Sequence, residues 1–146
     1  MGASKTYLVP VDFSKGSKIA LRHAAALARK KKGKLVLLHV MLPRVHPLIS
    51  QADAFIGSVY ATAERRARRD LQAMVRRAKL NPAEYRSILL RRADAARVIA
   101  DLARRLRVAM IVMSSHGRTG FRRFTLGSVA ERTVRYADCP VLIVKK

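Results

Sequence analysis

The stretch Met113-Ser114-Ser115-His116-Gly117-Arg118-Thr119-Gly120-Phe121-Arg122-Arg123-Phe124-Thr125-Leu126-Gly127-Ser128 brings together glycines, hydroxyls and guanidiniums. Residues of these types in one loop can hold an anion. Glycines and serines let backbone amides come close, and a helix beginning near Ser128 aims its unpaired N–H groups and positive dipole end at the same point. Arg118, Arg122 and Arg123 can add charge-assisted hydrogen bonds to phosphate oxygens. Two familiar phosphate loops are excluded. No G-x-x-x-x-G-K-[ST] occurs, and the glycines at 2, 16, 33, 57, 117, 120 and 127 supply no G-x-G-x-x-G. The segment Asp12-Phe13-Ser14-Lys15-Gly16-Ser17 is poor in glycine, which argues against a flavodoxin-like phosphate loop after the first strand.

Each candidate also has a structural reading. Ser128 and Glu131 form S-x-x-E, the capping box that satisfies amides at a helix start. Asp12 and Ser14 can each cap the first helix, and Gly117 and Gly120 can serve a tight surface turn. His116 has the type of a general base, but no serine, cysteine and carboxylate arrangement is legible around it. His39 closes an apolar run and reads as a hydrogen-bonded core histidine. Cys139, the single cysteine, excludes an intrachain disulfide and a multi-cysteine metal site, and reads as a small buried filler. No base, catalytic lysine or carboxylate pair is legible for hydrolysis of a bound phosphate compound, so an enzymatic role stays open and any turnover is expected to be slow.

The loop needs elements to hold it. Tyr7 to Val11 reads as a first strand, Ser17 to Lys32 as a helix, and Leu35 to Val40, apolar at nearly every position, as a strand buried on both faces. A long helix is expected from about Ala52 to Leu80, with Gly57 a point of interruption. Tyr85 to Leu90 reads as a third strand, and Asp94 to Leu106 carries a helical apolar stripe. Val108 to Met113, Ser128 to Ala137 and Val141 to Val144 complete a β-α alternation that specifies a parallel sheet with helices on both faces. In that frame the Met113–Ser128 loop joins a strand end to a helix start, where open α/β sheets bind ligands.

Length and composition fit one soluble α/β domain over residues 1–146, with 50% apolar and 27% charged residues. No run approaches the roughly 18 apolar residues of a membrane span, and no signal-peptide core is legible, so no membrane partner and a cytoplasmic location are expected. The charge is anomalous: 31 Lys and Arg against nine Asp and Glu give +22. Such an excess bears on partners rather than on fold.

The chain resembles the universal stress protein family, in its ATP-binding branch. The resemblance rests on Leu8-Val9-Pro10-Val11-Asp12-Phe13-Ser14, Leu37-Leu38-His39-Val40, Ser114-Ser115-His116-Gly117-Arg118-Thr119-Gly120, Leu126-Gly127-Ser128-Val129-Ala130-Glu131 and Cys139-Pro140-Val141-Leu142-Ile143-Val144. The branch motif G-x2-G-x9-G-[ST] falls on Gly117, Gly127 and Ser128, with Ser114 in place of the first glycine. Serine there is small, and needs a backbone conformation that accepts Cβ. The resemblance implies a Rossmann-like three-layer α/β/α sandwich with a five-stranded parallel sheet in the order 3-2-1-4-5. It also implies a small stress-response module that changes state with adenine-nucleotide occupancy. Pro10, Asp12 and Val40 would line adenine and ribose. Met113, Ser114, Gly117, Gly127, Ser128 and Val129, with Arg118 and Gly120 of the loop, would wrap ribose and triphosphate, with Mg²⁺ or Mn²⁺ bridging the phosphates. It further implies a homodimer through Val141–Val144. The competing reading is a nucleotide-free basic module docking nucleic acid or another polyanion.

Overall fold

The computed structural model describes residues 5–43, 53–117 and 126–145, with side chains from residue 57 onward in the second helix. Five strands and four helices alternate: β1 (Thr6–Pro10), α1 (Lys15–Lys31), β2 (Lys34–Met41), α2 (Asp53–Arg77), β3 (Tyr85–Arg91), α3 (Ala95–Arg105), β4 (Met110–Ser114), α4 (Ser128–Tyr136) and β5 (Val141–Val144). All pairings are parallel and the order is β3-β2-β1-β4-β5, as expected for a three-layer sandwich.

The apolar runs follow from burial on both faces. Tyr7, Val9 and Val11 alternate with Leu8, and Leu35 and Leu37 with Val36 and Leu38, so that successive side chains enter opposite cores. One core takes α1 and α2, including Ala20, Ala24, Ala28, Leu71 and Met74. The other takes Ile99 and Ala103 of α3 and Ala130 of α4. The chain steps outward from β1 to β3, then returns to the far side of β1 as β4. Right-handed crossovers in opposite directions place the helix pairs on opposite faces and leave a crevice beyond the C-terminal ends of β1 and β4.

Several details differ from the sequence expectation, among them the end of α2, at Arg77 rather than near Leu80. α1 begins at Lys15, two residues before Ser17, because Ser14 caps it. α2 runs unbroken through Gly57, where an added Cβ would meet nothing within 4 Å. β4 starts at Met110 rather than Val108, since Val108 still bonds back to the carbonyl of Ala103 at the end of α3. Among the described residues no helix is long and apolar enough to cross a membrane.

Candidate functional site

Two chain segments meet at the crevice. From β1 comes Asp12-Phe13-Ser14. The Ser14 amide donates to Asp12 Oδ1 at 3.0 Å, and Ser14 Oγ accepts from the Ser17 amide at 3.1 Å, capping α1. Phe13 between them adopts φ 66°, a left-handed conformation that costs a non-glycine residue about 1 kcal/mol. The ring compensates by lying 4.5 Å from that of His39. His39 Nδ1 in turn lies 2.7 Å from the carbonyl of Val11 and donates to it. His39 is thus the hydrogen-bonded core histidine expected, and it fixes the turn that presents Asp12.

From β4 comes Ser114-Ser115-His116-Gly117. Ser114 ends the strand in extended backbone, which accepts a Cβ without strain, and its Oγ donates to the His116 carbonyl at 2.9 Å. Serine therefore fits where the motif has glycine. A Cβ on Gly117 would stand 2.7 Å from Asp12 Oδ2. A larger residue there would require the Asp12 carboxylate to move aside.

The second half of the loop returns at Gly127. Its amide donates to the Ser115 carbonyl at 2.7 Å, and a Cβ on it would lie 3.1 Å from that same oxygen. No described glycine has a positive φ, so both residues serve close approach rather than a left-handed turn. Gly127 is the N-cap of α4, with no side-chain cap. The S-x-x-E capping box does not form: Ser128 is already the first helical residue, and Glu131 turns to Arg135 at 3.1 Å. Among the described residues nothing takes the N–H groups of Ser128, Val129 and Ala130, while Ser128 and Val129 are exposed. These donors belong to a helix start that lies against Ser115 and His116.

The remaining predicted residues fall as follows. Pro10 ends β1 opposite Leu38, half-buried. Val40 and Met113 pack into the α3–α4 core, Met113 being 5% exposed, so Met113 offers the crevice its backbone alone. Arg118 and Gly120, with Arg122 and Arg123, lie outside the described residues. His116 holds Nδ1 3.1 Å from Ser115 Oγ, and its Nε2 is buried without a partner. Cys139 is half-buried, and burial pushes its thiol pKa up, away from the reactive thiolate.

Sequence reading missed Gly16. A Cβ there would lie 3.0 Å from that of Ser114, so Gly16 lets the first turn of α1 pack against the end of β4. The available signal was a glycine inside a helical pattern, which usually has a packing reason. Among the described residues no cluster of three or more His, Cys, Asp or Glu could hold a metal ion; Asp12 is the carboxylate that faces the crevice.

A parallel α/β sandwich with a glycine-lined helix start at its switch point belongs to the class that binds ligands across the strand ends. Residues 4–145 match the model of the universal stress protein family, and the chain belongs to that family. It is 28% identical over 143 residues to universal stress protein MJ0531 of Methanocaldococcus jannaschii, covering 97% of this chain and 82% of that one. The solved structure of the hypothetical protein MJ0577, from the same organism, superposes with a TM-score of 0.80 at 26% identity, covering 99% and 98%. A universal stress protein from Archaeoglobus fulgidus in complex with dAMP shares the fold at 23% identity and TM-score 0.64, covering 99% and 100%.

Proposed function

We propose that this protein binds an adenine nucleotide at the β1–β4 switch point and acts as a nucleotide-dependent stress-response module. The observation that carries this reading is the start of α4, where, among the described residues, three N–H groups following Gly127 have no partner and the N-cap supplies no side-chain cap. A phosphate there takes the place of the missing side-chain cap. Asp12, next to Gly117, is placed to accept from ribose hydroxyls, which leaves Pro10 and Val40 toward the base. The dAMP complex of a family member with the same fold supports the adenine class. ATP is the expected ligand, with Arg118 and Gly120 completing its cradle. A Mg²⁺ or Mn²⁺ ion would be held chiefly by the phosphates, since the described residues offer one carboxylate to it. The test is the nucleotide content of freshly purified protein, released by denaturation, together with ATP titration of the apo form. An adenine nucleotide is expected in the first and saturable binding in the second. If none co-purifies and none binds at millimolar ATP with Mg²⁺, the reading fails.

The same reading includes a homodimer through β5. This edge strand has the sequence Val-Leu-Ile-Val, with Leu142 40% exposed and Val134 of α4 47% exposed. The opposite edge, β3, carries exposed Arg86 and Arg91, which discourage pairing. Light scattering at physiological salt is expected to give a dimer that Leu142→Lys dissociates; a wild-type monomer refutes it.

A further inference from the structure

Nucleotide binding leaves most of the positive charge without a role. Among the described residues seven carboxylates are paired with arginines: Glu64, Asp70, Glu84, Asp94, Asp101, Glu131 and Asp138. The excess is uneven. On the α3–α4 side, residues 94–107 and 128–138 carry six Lys and Arg with four carboxylates. Residues 15–34, comprising α1 and its exit, carry eight with none. The exposed Arg65, Arg69, Arg76 and Arg77 of α2 lie on the same side of the sheet.

Helix stability accounts for the cations of the last turn, Arg29, Lys30 and Lys31, but not for those of the first. Lys15 and Lys18 begin α1, whose first turn has no acidic residue, at the end where the helix dipole disfavours cations. Lys15, Lys18, Arg22 and Arg29 are all exposed and recur at helical spacing, forming a ridge about 21 Å long at 1.5 Å per residue. It runs into Lys30, Lys31 and Lys32. Among the described residues Arg29 pairs with Glu84, while Lys15, Lys18 and Arg22 pair with no carboxylate.

We infer that the α1 ridge docks on the phosphate backbone of double-stranded nucleic acid. A duplex presents one charge per about 1.7 Å of axis, so the ridge faces about a dozen phosphates of the two strands. A membrane surface fits less well, because α1 commits Ala20, Leu21, Ala24, Ala25 and Ala28 to the core and has no apolar face to insert. An acidic protein would need an apolar centre to its interface, and none of the exposed large hydrophobics lies on α1. Single strands need free aromatic faces. Among the described residues Tyr7 is buried, Tyr85 packs against the core, Phe13 lies against His39, and Tyr60 and Tyr136 lie under guanidiniums.

The experiment is fluorescence anisotropy of a labelled 24-base-pair duplex of arbitrary sequence, titrated with the full chain between 50 and 200 mM salt. With about five phosphate contacts, affinity should fall about 500-fold across that range. Lys18→Glu with Arg22→Glu, both exposed and outside the nucleotide site, should weaken binding at least about 20-fold and make the log–log salt slope shallower by about two. Arg105→Glu with Arg135→Glu changes net charge equally on the other layer and should weaken it less than about fivefold. Equal losses in the two double variants, a flat salt response, no binding at 50 mM, or tighter binding to polyglutamate or anionic vesicles than to the duplex would each overturn the inference.

Discussion

The two strand-to-helix junctions that meet at the switch point are finished in opposite ways. After β1, Asp12 and Ser14 take the amides of Ser14 and Ser17, so α1 starts with a side-chain cap, next to a left-handed Phe13. After β4, a glycine occupies the N-cap, and among the described residues the first amides of α4 have no protein partner. A side-chain cap is worth about 1 kcal/mol to a helix, so leaving one out forgoes stability that serine or aspartate at position 127 would supply. The first junction is built to be rigid and to present Asp12. On the proposed function, an anion would complete the second.

The largest expected effect comes from making the second junction like the first. Gly127→Asp places a carboxylate where the phosphate would lie. It should lower ATP affinity about 100-fold by occupying the donors and repelling the ligand. Thermal stability should change by no more than about 1 kcal/mol, since the cap gained offsets the tight approach to the Ser115 carbonyl. Calorimetric titration and melting of the same sample separate the two. Gly117→Ala forces its Cβ against Asp12 Oδ2 and should cost about tenfold in affinity, because the carboxylate or the loop must shift. At the first junction the balance reverses. Ser14→Ala should lose about 1 kcal/mol of stability with ATP affinity within about threefold of wild type, read by denaturant unfolding and the same titration.

The fold was legible because β1, β2 and β4 are apolar on both faces, which marks central parallel strands. β3 was less distinct because Arg86 and Ser87 are exposed on an edge strand. The loop was found by its composition, but the reason for its glycines was not legible. Gly117 lies against Asp12, far away in sequence, and nothing in the local pattern names that neighbour. The capping box failed on a shift of one residue. S-x-x-E is a capping box only if Ser128 is the N-cap, and the close bond from the Gly127 amide to Ser115 moves the helix start back. Gly16 was passed over because its partner, Ser114, belongs to the other junction.

The smallest expected effect lies away from both junctions and serves as their control. The Arg29 side chain, followed by the Asn81 amide, holds the Glu84 carboxyl below its ordinary pKa. A carboxyl lowered on folding stabilises the protein above its unfolded-state pKa, and that contribution is lost as pH falls through the folded value. Urea midpoints should therefore drop between pH 5 and pH 3, slightly less for Glu84→Gln than for wild type. ATP affinity at neutral pH should be unchanged.

The most direct test of the contrast is a two-dimensional amide NMR titration with Mg²⁺-ATP that follows the first turns of α1 and α4 together. The account predicts that Ser128, Val129 and Ala130, with Gly117 and Gly127, shift saturably while Ser17 and Lys18 move little. No shift at millimolar ATP, or shifts confined to α1, would contradict it.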